Sequence, residues 1–291
     1  MTPAKRAAIW MIGAILSFSS LAVAGRVVSH ELDTSELLFY RSVIGIFIVT
    51  GVAAMAGTLP QIGLHRMGTH LLRNAAHFAG QSLWYFALTV IPLAQVFALE
   101  FTSPLWVVLL SPLLLGEHLT RYRLMVTALG FIGILIITRP GASPLSAGVL
   151  AAALAAICFA TTSIFTKRLT RDVSLTGILF WLVVMQSVMG LIAAGYDGQI
   201  HLPSPAIWPW LLWIGLAGLI AHFCLTKALS IAPASTVVPF DFARLPLIAV
   251  VGALFYNEPL DVFVFIGAGL IFLANYLNLS VTAPRIRPEQ L

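Results

Sequence analysis

Apolar residues fill this chain in long blocks, and the polar residues gather mostly between them. The blocks run over about 7–28, 37–56, 71–91, 93–115, 122–138, 146–166, 175–195, 208–230, 233–256 and 260–282. Each has about 17–24 residues, the helix length that a hydrocarbon core of roughly 30 Å requires. Two boundaries are subtle. There, apolar stretches of about forty residues are cut only at Ile91-Pro92 and at Ile231-Ala232-Pro233. Proline ends one helix and can open the next, so each stretch is expected to fold as a tight helical hairpin. Pro60-Gln61, Pro140-Gly141 and Pro203-Ser204-Pro205 mark ordinary turns. The pattern predicts an all-α integral membrane protein with ten transmembrane helices.

A constant offset of 141 residues maps the first half of the chain onto the second. Phe18 falls on Phe159, Ala87-Leu88 on Ala228-Leu229, Pro92 on Pro233, Glu100 on Asp241, Phe101 on Phe242 and Glu117 on Glu258. With only 11 Asp+Glu and 16 Pro in the chain, the paired carboxylates and prolines carry this repeat better than its Leu and Ala matches do. Paired hydrophobic halves are a common construction of membrane carriers. The halves are 1–141 and 142–282, five helices each, followed by a tail over 283–291.

Composition agrees with a bilayer as the solvent: 59% of the 291 residues are apolar and 9% charged, against about 25% charged in soluble domains. The net charge of +5 is spread over short loops, which argues for topology signals and against nucleic acid as a partner. With the N-terminus inside, Lys5, Arg6, Arg66, Arg73, Arg121, Arg123, Lys167, Arg168, Arg171, Lys227, Arg285 and Arg287 lie at or near the cytoplasmic face. Arg26 and Arg139 lie outside, and Arg41 and Arg244 within spans. The expected topology is therefore N-in and C-in. An odd number of spans per half makes the two halves an inverted repeat, with a pseudo-twofold axis in the membrane plane. Residues 1–24 resemble a cleavable signal peptide, with Lys5-Arg6, an apolar run and Ala22-Val23-Ala24. Their spanning length and their counterpart in the second repeat argue instead for an uncleaved first helix. Cys158 and Cys224 sit inside apolar runs and read as packing residues. No metal-ligand spacing is present, and no cofactor is expected.

Polar residues inside the blocks are the candidate chemistry. A charge at the bilayer centre costs about 2.5–3.5 kcal/mol on insertion scales, so such residues face a cavity or a partner. Glu100 and Asp241 are repeat mates within spans. Asp241 has Arg244 three residues on, on the same helical face. For Glu100 the candidate partner is Arg41, at similar depth on the second helix. Glu100 is either a member of a static bridge or the group that carries a coupling proton. The third helix bears Asn74, His77 and Gln81, with Trp84 and Tyr85 beyond, at spacings that share a face. The eighth offers His222, Thr226 and Ser230. Both stripes suit either a polar route or interhelical hydrogen bonding. Gln95, with Gln81, adds an amide to the groups expected to meet a cargo. Pro104, Pro239 and Pro246 lie inside spans and allow bending beside the carboxylates. Glu117 and Glu258 read as helix ends, Trp208, Trp210 and Trp213 as an interfacial belt, and Gly267 and Gly269 as close-packing sites.

These features together resemble the drug/metabolite transporter (DMT) superfamily and its ten-helix EamA-type members. The resemblance spans about residues 7–282 and rests on the two five-helix halves, Phe39-Tyr40-Arg41 and the segment from Ala87-Leu88 to Pro92. Ser111-Pro112-Leu113-Leu114-Leu115-Gly116-Glu117 and its counterpart Phe255-Tyr256-Asn257-Glu258 complete it. It implies a carrier working by alternating access through a central cavity of helices 1–4 and 6–9, with helices 5 and 10 peripheral. Arg73-Asn74 to Trp84 is similar to the S-adenosylmethionine-carrier branch.

The expected function is a secondary carrier of a small organic metabolite in a bacterial inner membrane. An amino-acid-like or heteroaromatic cargo suits the carboxylates, arginines, glutamines and aromatic faces. Export or exchange is favoured, and uptake of S-adenosylmethionine or riboflavin is the alternative. Self-association as a homodimer is left open. No ATP-binding loop of the GxxxxGK[ST] kind occurs, so energy is expected from an ion gradient or the solute's own gradient. A membrane-embedded enzyme would need a nucleophile–base pair or metal ligands in register, and no such motif is seen. An ion channel and a non-transporting scaffold are the other readings.

Overall fold

A computed structural model of the protein describes residues 3–115, 120–139, 146–196, 198–231, 240–241 and 243–282. The described residues form helices α1 (Pro3–Val28), α2 (Thr34–Met55), α3 (Met67–Val90), α4 (Leu93–Glu100), α5 (Ser103–Leu115), α6 (Arg121–Thr138), α7 (Ala147–Leu169), α8 (Leu175–Ala194), α9 (Trp208–Ile231), α10 (Arg244–Tyr256) and α11 (Val262–Thr282). Several starts are set by local capping. Asp33 and Glu36 form a reciprocal capping box on α2, and Thr120, Ser146 and Ser174 cap α6, α7 and α8.

Seven apolar segments among the described residues are long enough to cross a membrane. Helix α3 is not one of them despite its 24 residues. Its His70, Arg73, Asn74, His77 and Gln81 lower its hydropathy, and the first four of these are buried within the bundle. The predicted span over 93–115 is divided. Helix α4 stops at Glu100, two residues turn, and α5 starts at Ser103 with Pro104 behind it. In the second repeat α10 starts at Arg244, the repeat mate of Ser103. The Phe101 carbonyl freed by the first break accepts a hydrogen bond from Asn275 Nδ2 of α11 at 2.9 Å. Broken helices persist at membrane depth where such partners re-satisfy the backbone.

Packing follows the repeat. The most extensive helix pairs are α1 with α9, α3 with α7, α6 with α11 and α2 with α8. Exchanging the two repeats converts the first pair into the second and maps each of the other two onto itself. Helices α6 and α11 meet at Gly133 and Gly267, where a Cβ on either would lie 2.5 Å from the other's carbonyl oxygen. Of the two glycines expected to pack on the last helix, Gly269 instead has open space around it.

One end of the bundle carries the turns near residues 29–33, 91–92, 195–207 and 257–261; the other carries those near 56–66 and 170–174. At the first end Arg26 and Glu258 form an ion pair. Arg26 also donates to the Leu88 carbonyl (2.5 Å) and the Ile91 carbonyl (2.8 Å). Leu88 needs that donor because the residue four positions on is Pro92, which has no N–H. The second Glu258 oxygen accepts from the Leu93 N–H at 2.8 Å, at the start of α4. Glu258 is thus more than a helix end: it ties α1, α4 and α10 together across the two repeats. On the adjoining loop, the Ser204 backbone N–H and hydroxyl hold the Glu31 carboxyl below its usual range. At the opposite end Arg66 pairs with Asp172, and Trp181 Nε1 donates to the Gly63 carbonyl. Glu258→Ala is expected to cost about 2–4 kcal/mol, since it removes a largely desolvated ion pair and a helix-start acceptor together. The measurement is the thermal midpoint in detergent; an unchanged midpoint would make the tie energetically neutral.

Candidate functional site

A narrow, partly open cavity lies among α2, α3, α8 and α9. It is bordered by Arg41, Ser42 and Gly45 of α2, His77 of α3, Leu179, Leu182, Val183 and Gln186 of α8, and Gly215, Gly218, Leu219 and His222 of α9. His77 is ten residues into α3, and Gly218 ten into α9. At 1.5 Å per residue each is about 15 Å from its helix start, the midplane of a core about 30 Å thick. Arg41 and Leu182, Ser42 and Val183, Gly45 and Gln186, and His77 and Gly218 are all repeat mates. The cavity therefore sits where the repeat relation brings equivalent positions together. In each of these pairs one member is polar and the other apolar or glycine.

A hydrogen-bonded network stands behind the cavity wall. Arg73 Nε donates to Thr166 Oγ1 (3.1 Å) and its Nη1 to Asn74 Oδ1 (2.8 Å). Asn74 Nδ2 donates to the Trp181 carbonyl (3.2 Å) and approaches the Met185 sulfur (3.1 Å). Gln186 Nε2 donates to the Asn74 carbonyl (2.9 Å). Gln81, its amide oxygen turned toward Arg41, accepts from Arg41 Nη1 (2.5 Å) and donates to Gln186 Oε1 (3.1 Å). The buried Tyr85 hydroxyl lies near Arg41. So Asn74, Gln81, Tyr85 and Arg41 belong to one network, and His77 and His222 border the cavity it frames. His222 stacks edge-on to Phe18 (5.4 Å) and His77 tilts against Phe159 (6.0 Å), and these two phenylalanines are repeat mates.

A second cluster lies at the helix breaks. Arg244 Nη2 donates to Asp241 Oδ2 at 2.5 Å, and its Nη1 faces Glu100 Oε1 at 3.5 Å. Trp84 Nε1 donates to the other Glu100 oxygen at 2.8 Å. The guanidinium carbon lies 4.9, 5.4 and 5.1 Å from the ring centroids of Phe18, Phe97 and Phe101, a cation–π arrangement. The expected pairing of Glu100 with Arg41 is thus corrected. Depth along a span does not give the direction in which a side chain points, and α2 turns Arg41 toward Gln81. The expected Asp241–Arg244 contact is present, but Arg244 also reaches across to Glu100. Gln95, on the first turn of α4, is half-buried and does not border the cavity. Pro239 lies outside the described residues, as does the segment carrying Glu117.

Sequence reasoning missed Gln186, Ser42 and Gly218. Gln186 had a signal: it is the one Gln in the apolar helix α8. Gly218 had one as well, as the glycine that the repeat places opposite His77.

Comparisons with known proteins fit this geometry. The model of the EamA-like transporter family matches residues 5–139 and 146–280, two segments offset by 141 at both ends. A riboflavin transporter of Brucella anthropi is 32% identical over 271 residues, covering 91% of this chain and 95% of that protein. An S-adenosylmethionine uptake transporter of Rickettsia bellii is 26% identical over 266 residues, covering 91% and 90%. The pseudopaline exporter CntI of Pseudomonas aeruginosa is 26% identical over 276 residues, covering 93% and 94%. A solved crystal structure superposes with a TM-score of 0.63 at 19% identity, over 94% of this chain and 96% of that one, which speaks to the fold. With two tandem matches that together span most of its length, the chain is a multi-pass membrane protein that belongs to the EamA-like transporter family of the DMT superfamily.

Proposed function

We propose that this protein is a secondary carrier of a flat heteroaromatic metabolite in the bacterial inner membrane, with riboflavin as its first candidate cargo. The observation that carries the reading is the cavity at the repeat interface, where Arg41, Ser42, His77, Gln186 and His222 bring polar groups to a wall otherwise made of leucine, valine and glycine. Small-molecule sites have this composition, mostly apolar with a few placed polar groups. The Arg41 guanidinium is already engaged by the Gln81 amide oxygen, which favours an uncharged heteroaromatic edge over a free amino-acid carboxylate. Of the relatives described above, the one of highest identity is named a riboflavin transporter. Membrane orientation is taken as N-in and C-in from the lysines and arginines, and the cycle as alternating access of the two inverted repeats around the cavity. Proton coupling through Glu100 and a direction of export or exchange complete the reading.

The test is flavin flux in proteoliposomes, followed by fluorescence in both directions. Wild type is expected to move riboflavin saturably, with unlabelled flavin accelerating exchange. Gln81→Ala is expected to lower the transport efficiency about five- to tenfold, the worth of one buried hydrogen bond of about 1 kcal/mol or slightly more. Flux no faster than through empty liposomes would sink the flavin reading.

A further inference from the structure

The repeat mates His77 and Gly218 both border the cavity, one with an imidazole and the other with bare backbone. His77 is buried, 8% exposed, and its Nδ1 has no hydrogen-bond partner among the described residues. Gly218 borders the same cavity, and a Cβ built there meets nothing within 4 Å. The neighbouring glycines behave otherwise. At Gly215 a Cβ would lie 2.9 Å from Ile44 Cγ2, and at Gly45 2.8 Å from Val183 Cγ1, so those two serve helix contact. Gly218 serves no helix contact of that kind, and the space it leaves opens on the cavity. A buried polar nitrogen left without a partner is costly in an apolar interior, and a turn of the imidazole that presents it to a ligand in the cavity supplies the missing partner.

We infer that His77 and Gly218 are the specificity-determining pair of the cavity: one face of a planar fused heteroaromatic ring lies against the bare α9 backbone at Gly218, and the His77 imidazole, which borders the same cavity, exchanges a hydrogen bond with the ring's polar edge. This rests on the carrier reading above and adds to it the shape and the edge chemistry of the cargo. The asymmetry explains how a site built on a repeat-related frame selects one orientation of its ligand. Arg41, Ser42, His77 and Gln186 have Leu182, Val183, Gly218 and Gly45 as their repeat mates, so none of these four polar groups is duplicated by the repeat.

The test uses the full chain in proteoliposomes, with riboflavin and S-adenosylmethionine as the two probes, and folding checked by gel filtration and thermal melting. Gly218→Leu is expected to fold, because the added atoms enter open space, and to slow flux of the transported probe at least about tenfold by overfilling the cavity. Gly218→Ala should fall between it and wild type. His77→Phe should lose about five- to tenfold, and His77→Gln, which keeps a hydrogen-bonding side chain, should recover most of the loss. Gly218→Leu and Gly218→Ala moving the probe as fast as wild type would overturn the pair while leaving the carrier reading intact. Equal losses in His77→Phe and His77→Gln would overturn the hydrogen bond. Wild-type flux of S-adenosylmethionine without riboflavin would sink the flavin reading and leave the pair to be judged on the adenine ring. Flux of neither probe in wild type would overturn both.

Discussion

Arg244→Met is expected to destabilise the folded protein by about 3–5 kcal/mol, as breaking a buried ion pair from one side does. Arg244 is 5% exposed, and it faces Asp241 at 2.5 Å and Glu100 at 3.5 Å inside a ring of Phe18, Phe97 and Phe101. Methionine replaces much of the aliphatic stem but none of the charge. The two carboxylates would then stand near each other in an apolar surround with Trp84 Nε1 as the donor left to Glu100. The measurement is the thermal midpoint in detergent. The triple variant Arg244→Met, Glu100→Gln, Asp241→Asn is the decisive companion. It removes every charge of the cluster at similar volume, so it should recover most of the lost stability. Recovery would show that the loss came from orphaned charge. If the triple variant is as unstable as Arg244→Met, the loss came from packing in the aromatic cage. A wild-type midpoint in Arg244→Met would mean the carboxylates are well hydrated in the folded protein.

How far the sequence reaches differs between the frame and the site. Helix α8, expected over 175–195, runs over Leu175–Ala194, and α2, expected over 37–56, runs over Thr34–Met55. Both are single apolar runs whose start is fixed by a capping residue a few positions away, so the governing interactions are local. The break after Glu100 is not local. Pro104 and its neighbours permit it, but the bond that accommodates it comes from Asn275, 174 residues away. The same holds for Glu258, legible as a helix end because its neighbours in sequence say so. Its partners, Arg26 and the Leu93 N–H, come from the other repeat. Glu100 was matched to Arg41 by depth, a quantity the sequence encodes well. Its true partner Arg244 depends on helix rotation, which packing sets. The polar stripe on α3 was legible because helical spacing alone brings Asn74, His77 and Gln81 to one face. Its role in a network with Gln186 required knowing that α3 and α8 meet.

Glu100→Gln is expected to abolish accumulation of cargo against its gradient while leaving exchange down the gradient in place. One guanidinium between two carboxylates leaves the cluster with an excess negative charge. Of the two carboxylates, Asp241 holds the short contact to Arg244 and Glu100 the long one. A proton taken by Glu100 therefore neutralises the cluster with the smaller loss of attraction, and Arg244 keeps Asp241. The groups facing Glu100 are Arg244 and Asp241 from the second repeat and Trp84 from α3, so the proton's arrival alters a contact between repeats, where alternating access needs a change. For an uncharged cargo coupled to one proton, a gradient of one pH unit supplies about 1.4 kcal/mol and sustains a concentration ratio of about tenfold. Proteoliposomes holding such a gradient should show that ratio with wild type and a ratio near unity with Glu100→Gln. Asp241→Asn is the control for structure: it loosens Arg244 from its short contact, so it should lower the thermal midpoint more than Glu100→Gln does. Accumulation at the wild-type ratio in Glu100→Gln would make Glu100 a structural member of the cluster and place the coupling elsewhere. A wild type that equilibrates its cargo regardless of pH would remove the proton and leave the solute's own gradient as the driving force.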